Sequence, residues 1–167
     1  YYEHDERKNL TRITTAIGSS VSFTYDQHNH ITSVTDGNGN IITYDYDEKG
    51  NLIHINYPDG TGESFTYTRQ GLLRSSLDRK GEATYFYYSP CGYMSKVVFP
   101  DNSEINIEND VLGKVINYTD ENGAVTSFDY NSIDKVIRIT NPLGISTTYN
   151  YFSYGKIESI EDGKGNI

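Results

Sequence analysis

The chain repeats every 21 residues, and this period restricts its fold more than any other feature of the sequence. With Gly50 of the stretch YDEKGNL as anchor, steps of 21 lead without a gap to Asn29, Gly50, Gly71, Gly92, Gly113, Asp134 and Gly155. Four residues before each anchor stand Tyr25, Tyr46, Tyr67, Tyr88, Asn109, Tyr130 and Tyr151. Six before stand Phe23, Tyr44, Phe65, Phe86, Ile107, Phe128 and Tyr149. Two after, the column is apolar in every copy: Ile31, Leu52, Leu73, Met94, Val115, Val136 and Ile157. Ten after, it reads Gly39, Gly60, Gly81, Asn102, Gly123, Gly144 and Gly165, and a partial copy anchored at Lys8 precedes the series. We read residues 1–167 as a single array, with a partial repeat over 1–19 and full repeats from about 20 to 166. The pattern is already running at the first residue and still running at the last, so the array is expected to be a fragment of a larger protein.

Each column carries a structural instruction. The two aromatic columns are two residues apart and enclose polar residues such as Thr24, Asp45, Thr66 and Asp129. That alternation is the period of a half-buried strand. Tyr85 and Tyr87 make the corresponding strand of one repeat aromatic on both faces. Stretches such as YDEKGN and YTRQGL then read as turns, where Gly supplies a positive φ and Asp or Asn bonds the nearby backbone. A second apolar stretch follows, as in LIHINY, and then a second turn such as PDG or DENG. Its apolar positions two and five after the anchor have odd separation and cannot share a face of a regular strand. The pattern therefore requires a bulge or a late strand start.

The fold predicted is all-β: tandem 21-residue hairpins in one long, curled antiparallel sheet of about fourteen strands, two for each of the seven full copies. No segment has the sustained spacing and caps of a helix. Sixteen Tyr, six Phe and fifteen Gly in 167 residues agree with strands and turns. A formal net charge of −9 argues against nucleic acid or an anionic membrane surface as the main partner. No apolar run approaches the ~20 residues of a membrane span. One cysteine, Cys91, excludes an intrachain disulfide.

The signature is fullest in ITYDYDEKGNLIHINYPDG and returns in FTYDQHNHITSVTD, TSFDYNSIDKVIRITNPLG and TTYNYFSYGKIESIEDGKG. It resembles the YD repeats of the Rhs family over the whole chain. The resemblance implies a ribbon of hairpins spiralling into a hollow shell, as in Rhs polymorphic toxins, Tc toxin B and C components, wall-associated proteins and teneurins. In the bacterial members such a cage encloses a variable C-terminal toxin. The conserved core segment and autoproteolytic site that close the repeat region in toxin-bearing members have no counterpart in this sequence.

Candidate sites are outweighed by the repeat. His28 and His30 flank an anchor within a turn, and no third or fourth ligand is spaced to join them, so a solvated turn is preferred to a metal site. His4 and His54 are the other imidazoles. Cys91 stands before an anchor in a column otherwise filled by His28, Lys49, Gln70, Leu112, Ile133 and Tyr154, which does not preserve a nucleophile. Asp26, Asp47 and Asp110 in the first turn, and Asp36, Asp78, Asp120 and Asp162 in the second, follow the turn pattern rather than the paired geometry of an acid and a base. The sequons at Asn9 and Asn117 matter only in a secreted eukaryotic protein. No catalytic, cofactor or metal residue is assigned.

The function expected is structural: part of a cage that shields a toxin or effector polypeptide in a secreted or cell-surface bacterial protein delivered by a secretion system, without catalysis. Its partners would be the enclosed polypeptide and the flanking repeats, with edge-to-edge self-association of the isolated piece. The alternative is an extracellular adhesion or carbohydrate-binding surface, since rows of Tyr can stack sugars.

Overall fold

A computed structural model describes all of residues 1–167. It is all-β, sixteen antiparallel strands in one sheet with hydrogen-bonded neighbours in chain order, and it has no helix. The chain divides into two compact units, Tyr1–Thr84 and Tyr85–Ile167. The first holds β1 (Tyr2–His4), β2 (Leu10–Thr14), β3 (Ser20–Tyr25), β4 (Ile31–Thr35), β5 (Ile41–Tyr46), β6 (Leu52–Asn56), β7 (Gly62–Tyr67) and β8 (Leu73–Leu77). β9 (Ala83–Tyr88) runs across the division. The second continues with β10 (Met94–Val98), β11 (Glu104–Asn109), β12 (Val115–Thr119), β13 (Val125–Tyr130), β14 (Val136–Thr140), β15 (Ser146–Tyr151) and β16 (Ile157–Glu161). The strands beyond the fourteen counted from full copies are β1 and β2, contributed by the partial copy around Lys8.

The two turns of each repeat share one geometry. In the first, the Asp47 N–H donates to the Asn51 carbonyl at 2.9 Å and the Gly50 N–H donates to the Asp47 carbonyl at 3.0 Å. In the second, Asp36 and Asn40 are joined in the same way at 3.0 Å, and the Gly39 N–H reaches the Asp36 carbonyl at 3.1 Å. This is a three-residue hairpin loop closed by a left-handed residue, Gly50 at φ 82° and Gly39 at φ 86°. The same position is left-handed in every copy of both turns, including the non-glycine residues Lys8, Asn29, Asn102 and Asp134. The turn-opening carboxylate completes the loop: Asp36 Oδ1 accepts from the N–H groups of Asn38 at 2.8 Å and Asn40 at 2.9 Å. Thr68 and Ser89 do a weaker version of this with a hydroxyl, each accepting one N–H at 3.2 Å.

A bulge resolves the odd spacing. Asp45 pairs with His54, but the next residue, Tyr46, pairs with Leu52, so Ile53 is extra on its strand. The same shift recurs at Thr24/Tyr25, Thr66/Tyr67, Glu108/Asn109, Asp129/Tyr130 and Asn150/Tyr151. Leu52 and Ile55 thereby reach one face, with Ile55 opposite Tyr44. Both aromatic columns are half-buried on this face, while the intervening Thr24, Asp45, Thr66, Tyr87, Glu108, Asp129 and Asn150 are exposed on the other.

The core is thin. Val97, opposite Phe86 and Ile105, is the one buried apolar residue, at 9 % exposure, and no side chain is fully buried. Cohesion therefore comes from ladder hydrogen bonds, half-buried apolar rows and a polar-face ladder. In that ladder Thr24 Oγ1 lies 2.7 Å from Ser33 Oγ, Thr66 Oγ1 2.6 Å from Ser75 Oγ, and the Asn117 amide donates to Glu108 at 2.7 Å.

Candidate functional site

The repeat columns converge on a contact that links one hairpin to the previous one. Tyr46 ends β5 with its ring on the apolar face, and its hydroxyl donates to the carbonyl of Ile31, fifteen residues earlier, at 2.9 Å. The same bond joins Tyr25 to Leu10 at 2.8 Å, Tyr67 to Leu52, Tyr130 to Val115 and Tyr151 to Val136, the last three at 2.7 Å. Its acceptors are all in the apolar column two after the anchor, at the first residue of the preceding hairpin's second strand. Asn109, which replaces tyrosine, donates its amide to Met94 O at 2.9 Å over the same interval. Desolvation raises the Tyr46 phenol above its ordinary value, as do the neighbouring Tyr44 and Asp26. Burial does the same for Tyr67. The latch escaped sequence reasoning, although a signal exists: the column four before the anchor holds tyrosine and never phenylalanine, whereas the column six before mixes Phe23, Phe65, Phe86 and Phe128 with Tyr44, Tyr149 and Ile107.

Turns of neighbouring repeats are also tied. Arg7 donates to the Gln27 carbonyl at 2.8 Å and the Asn9 amide to Asn29 Oδ1 at 2.9 Å. Lys114 lies 2.6 Å from Asp134 and 3.1 Å from Asp110, and these two carboxylates raise its ammonium pKa. At the second turns, Arg79 pairs with Asp59, donates to Thr61 Oγ1 at 2.8 Å and lies 4.1 Å from the Tyr57 ring centroid.

The remaining repeat positions serve this frame. Phe23, Tyr44, Phe65, Phe86, Phe128 and Tyr149 are half-buried opposite Val34, Ile55, Ser76, Val97, Ile139 and Ile160. Tyr88 is half-buried and paired with Met94. Gly50, Gly71, Gly92, Gly113 and Gly155 close first turns.

One turn has side chains unlike its sisters. Between β3 and β4, Asp26 Oδ1 accepts the N–H groups of His28 at 2.7 Å and His30 at 2.9 Å, while His30 Nδ1 donates to Asp26 Oδ2 at 2.9 Å. His30 stacks on Tyr46 with ring centroids 4.7 Å apart, and the His28 ring lies 6.0 Å away. Desolvation works to raise the Asp26 pKa, but hydrogen bonds from His30 and the turn backbone outweigh it and hold the carboxyl at about 2. The three side chains can bring one ligand atom each within 4.8 Å of the others, beside a cleft of about 490 Å³ that Asp45, Asp47 and Glu48 also line. The expectation that no third group is spaced to join the two histidines therefore fails. The loop wraps so that Asp26, two residues before His28, meets both.

Residues 1–153 match the profile of the teneurin YD-shell. The chain belongs to the teneurin YD-shell family. None of the curated protein sequences matches it. Among solved structures, TcdB2-TccC3 without its hypervariable C-terminal region has the same fold over 99 % of this chain and 11 % of its own length, at a TM-score of 0.73 and 16 % identity. The Photorhabdus luminescens Tc holotoxin pore is similar over 91 % of this chain and 9 % of its own, at a TM-score of 0.70 and 19 % identity. TcdB2-TccC3-TEV aligns over 96 % and 10 %, at 0.69 and 18 %. The YD-shell segment thus spans about a tenth of the length of these chains.

The other sequence candidates in this YD-shell segment stay apart. Cys91 is exposed at a turn tip. Asp36, Asp47, Asp78, Asp110, Asp120 and Asp162 each accept backbone N–H groups of their own turn, the role their columns imply. His54 lies 3.0 Å from Ser64 Oγ on the polar face, and His4 is exposed on β1. What the shared geometry can do is repeat: each hairpin carries the donor its predecessor needs and the acceptor its successor uses.

Proposed function

We propose that this YD-shell segment is a stretch of wall in a secreted shell that encloses a toxin or effector polypeptide, acting by exclusion and without catalysis. The observation that carries the reading is the likeness of 99 % of the chain to part of TcdB2-TccC3. The hydroxyl latch from Tyr46 to Ile31 and its copies support it, because a wall must pass the same contact from hairpin to hairpin. On this reading the array of residues 1–167 is one architectural unit of a longer protein. β1 and β16, which have one neighbour each in the sheet, pair with flanking repeats of the same chain, and the isolated piece associates through those edges. Delivery belongs to a bacterial secretion system.

Limited proteolysis of the full-length protein tests this. An enclosed segment resists proteinase until the wall is opened by denaturant, and shielded and wall segments then become cleavable together. Cleavage of every non-repeat segment at native conditions would contradict enclosure.

A surface for carbohydrate is the second reading, and β9 favours it. Tyr85 and Tyr87 are 45 % and 50 % exposed on the mostly polar face, and Tyr87, Ser95, Lys96, Val98 and Asn106 line a cleft of about 480 Å³. Aromatic rings beside amide and ammonium donors suit a sugar. A glycan array on the segment distinguishes the two: selective binding that is lost in Tyr87→Ala supports this surface, and no binding leaves the wall alone.

A further inference from the structure

We propose that the turn joining β3 and β4 binds one divalent transition-metal ion of the zinc class through Asp26, His28 and His30. This does not depend on the shell reading. Its basis is the contrast between one turn and its sisters. In four other turns the residue four after the opening aspartate is asparagine, whose amide donates to the second carboxylate oxygen: Asn9 to Asp5 at 3.0 Å, Asn40 to Asp36 at 2.8 Å, Asn51 to Asp47 at 2.9 Å and Asn166 to Asp162 at 2.8 Å. His30 occupies that slot and makes the same bond to Asp26 with Nδ1 at 2.9 Å. An amide nitrogen cannot ligate a metal, but a deprotonated imidazole nitrogen can. The loop supplies the second imidazole as well, because His28 is exposed at the apex with its ring centroid 6.0 Å from that of His30.

The site is largely formed in advance. Asp26 Oδ1 is fixed by two backbone N–H groups, which leaves Oδ2 directed at His30. The His30 ring is held by its stack on Tyr46 and lies against Gly50, where an added Cβ would stand 3.0 Å from the imidazole Cε1 and Nε2. An ion takes the place of the proton between His30 Nδ1 and Asp26 Oδ2. Solvent removes that proton from Nδ1 and supplies one to Nε2, so His30 ligates as a neutral imidazole, and His28 donates its ring lone pair as the third ligand. Nitrogen and carboxylate donors in this number match the zinc-type sites that keep a further position for water. Asp45, Asp47 and Glu48 beside the cleft outnumber its one ammonium, Lys49, and the excess negative charge favours a cation.

The sister turns also supply variants that should preserve the fold. His30→Asn copies Asn51, Asp26→Asn copies Asn131, and His28→Lys copies Lys49. Isothermal titration of the tag-free chain with zinc chloride should give one site per chain, and each variant should bind at least about tenfold more weakly with an unchanged circular dichroism spectrum. In NMR spectra, zinc should shift the imidazole signals of His28 and His30 and leave those of His4 and His54 in place. Absence of binding by the wild-type chain, equal binding by wild type and variants, or shifts confined to His4 or His54 would overturn the proposal.

Discussion

The Tyr46 hydroxyl donates to the Ile31 carbonyl at 2.9 Å, which fastens the end of one hairpin's first strand to the start of the second strand in the hairpin before it. Tyr46→Phe keeps the ring in the half-buried apolar row and removes only this bond. The loss is the net worth of one hydrogen bond, about 1 kcal/mol. Tyr46→Ala also removes the ring and should cost about 3 kcal/mol. Urea unfolding of the two variants checks both values, and a neutral Tyr46→Phe would show that the latch is incidental.

Left-handed loop residues should respond in opposite directions to opposite substitutions. Gly60 has φ 83° and open space where a Cβ would stand, so Gly60→Ala isolates the backbone penalty, about 1 to 2 kcal/mol of destabilisation. Lys8 holds the same conformation at φ 68° with a full side chain, and Lys8→Gly should stabilise by about 0.5 to 1 kcal/mol. Thermal unfolding of the pair is the test; a loss of stability in Lys8→Gly would mean that its side chain outweighs the strain.

Acid should weaken the fold through the turns. Asp36 lies below its ordinary 3.8, first because the Asn40 amide bonds its carboxylate, and Asp47 and Asp162 follow for the same reason with Asn51 and Asn166. A carboxyl whose folded pKa is depressed adds stability above the unfolded value and loses it as pH falls through the folded one. The urea midpoint should therefore be insensitive to these groups above pH ~5 and fall between pH ~4 and ~2. Asp36→Asn, which copies Asn131 and Asn141, should flatten part of that fall. A midpoint unchanged down to pH ~2.5 would contradict the turn role.

Val97 is the one buried apolar residue, between Phe86 on β9 and Ile105 on β11. Val97→Ala deletes two buried carbon groups and should cost about 1.5 to 2 kcal/mol, more than the same change at the exposed Val111. Equal costs at the two positions would mean that the thin core contributes nothing local.

Much of this was legible because a repeat states each structural requirement many times. The Phe65 and Tyr67 columns mark a strand, Gly50 and Gly60 mark loop closures, and the odd step from Leu52 to Ile55 requires the bulge found at Ile53. The latch was hidden because it depends on register between hairpins, which no column states; only the avoidance of phenylalanine at Tyr25, Tyr46 and Tyr67 hints at it. The Asp26 group was hidden for a related reason. Residues two and four along an extended chain share a face but lie roughly 7 and 13 Å away, too far to meet, and only the loop's wrap, set by the left-handed Asn29, brings His28 and His30 to one carboxylate. Tyr85 and Tyr87 were visible as an anomaly of the pattern, and they lie exposed opposite Val98 and Lys96 on the face that is polar in the sister strands.

Electron cryomicroscopy of the full-length protein decides whether these hairpins form part of an enclosing wall. An enclosing wall would show hairpins with the Tyr46 to Ile31 register built into a closed surface, with density for polypeptide inside. A repeat ribbon that stays open, with both faces in solvent and nothing enclosed, would contradict it.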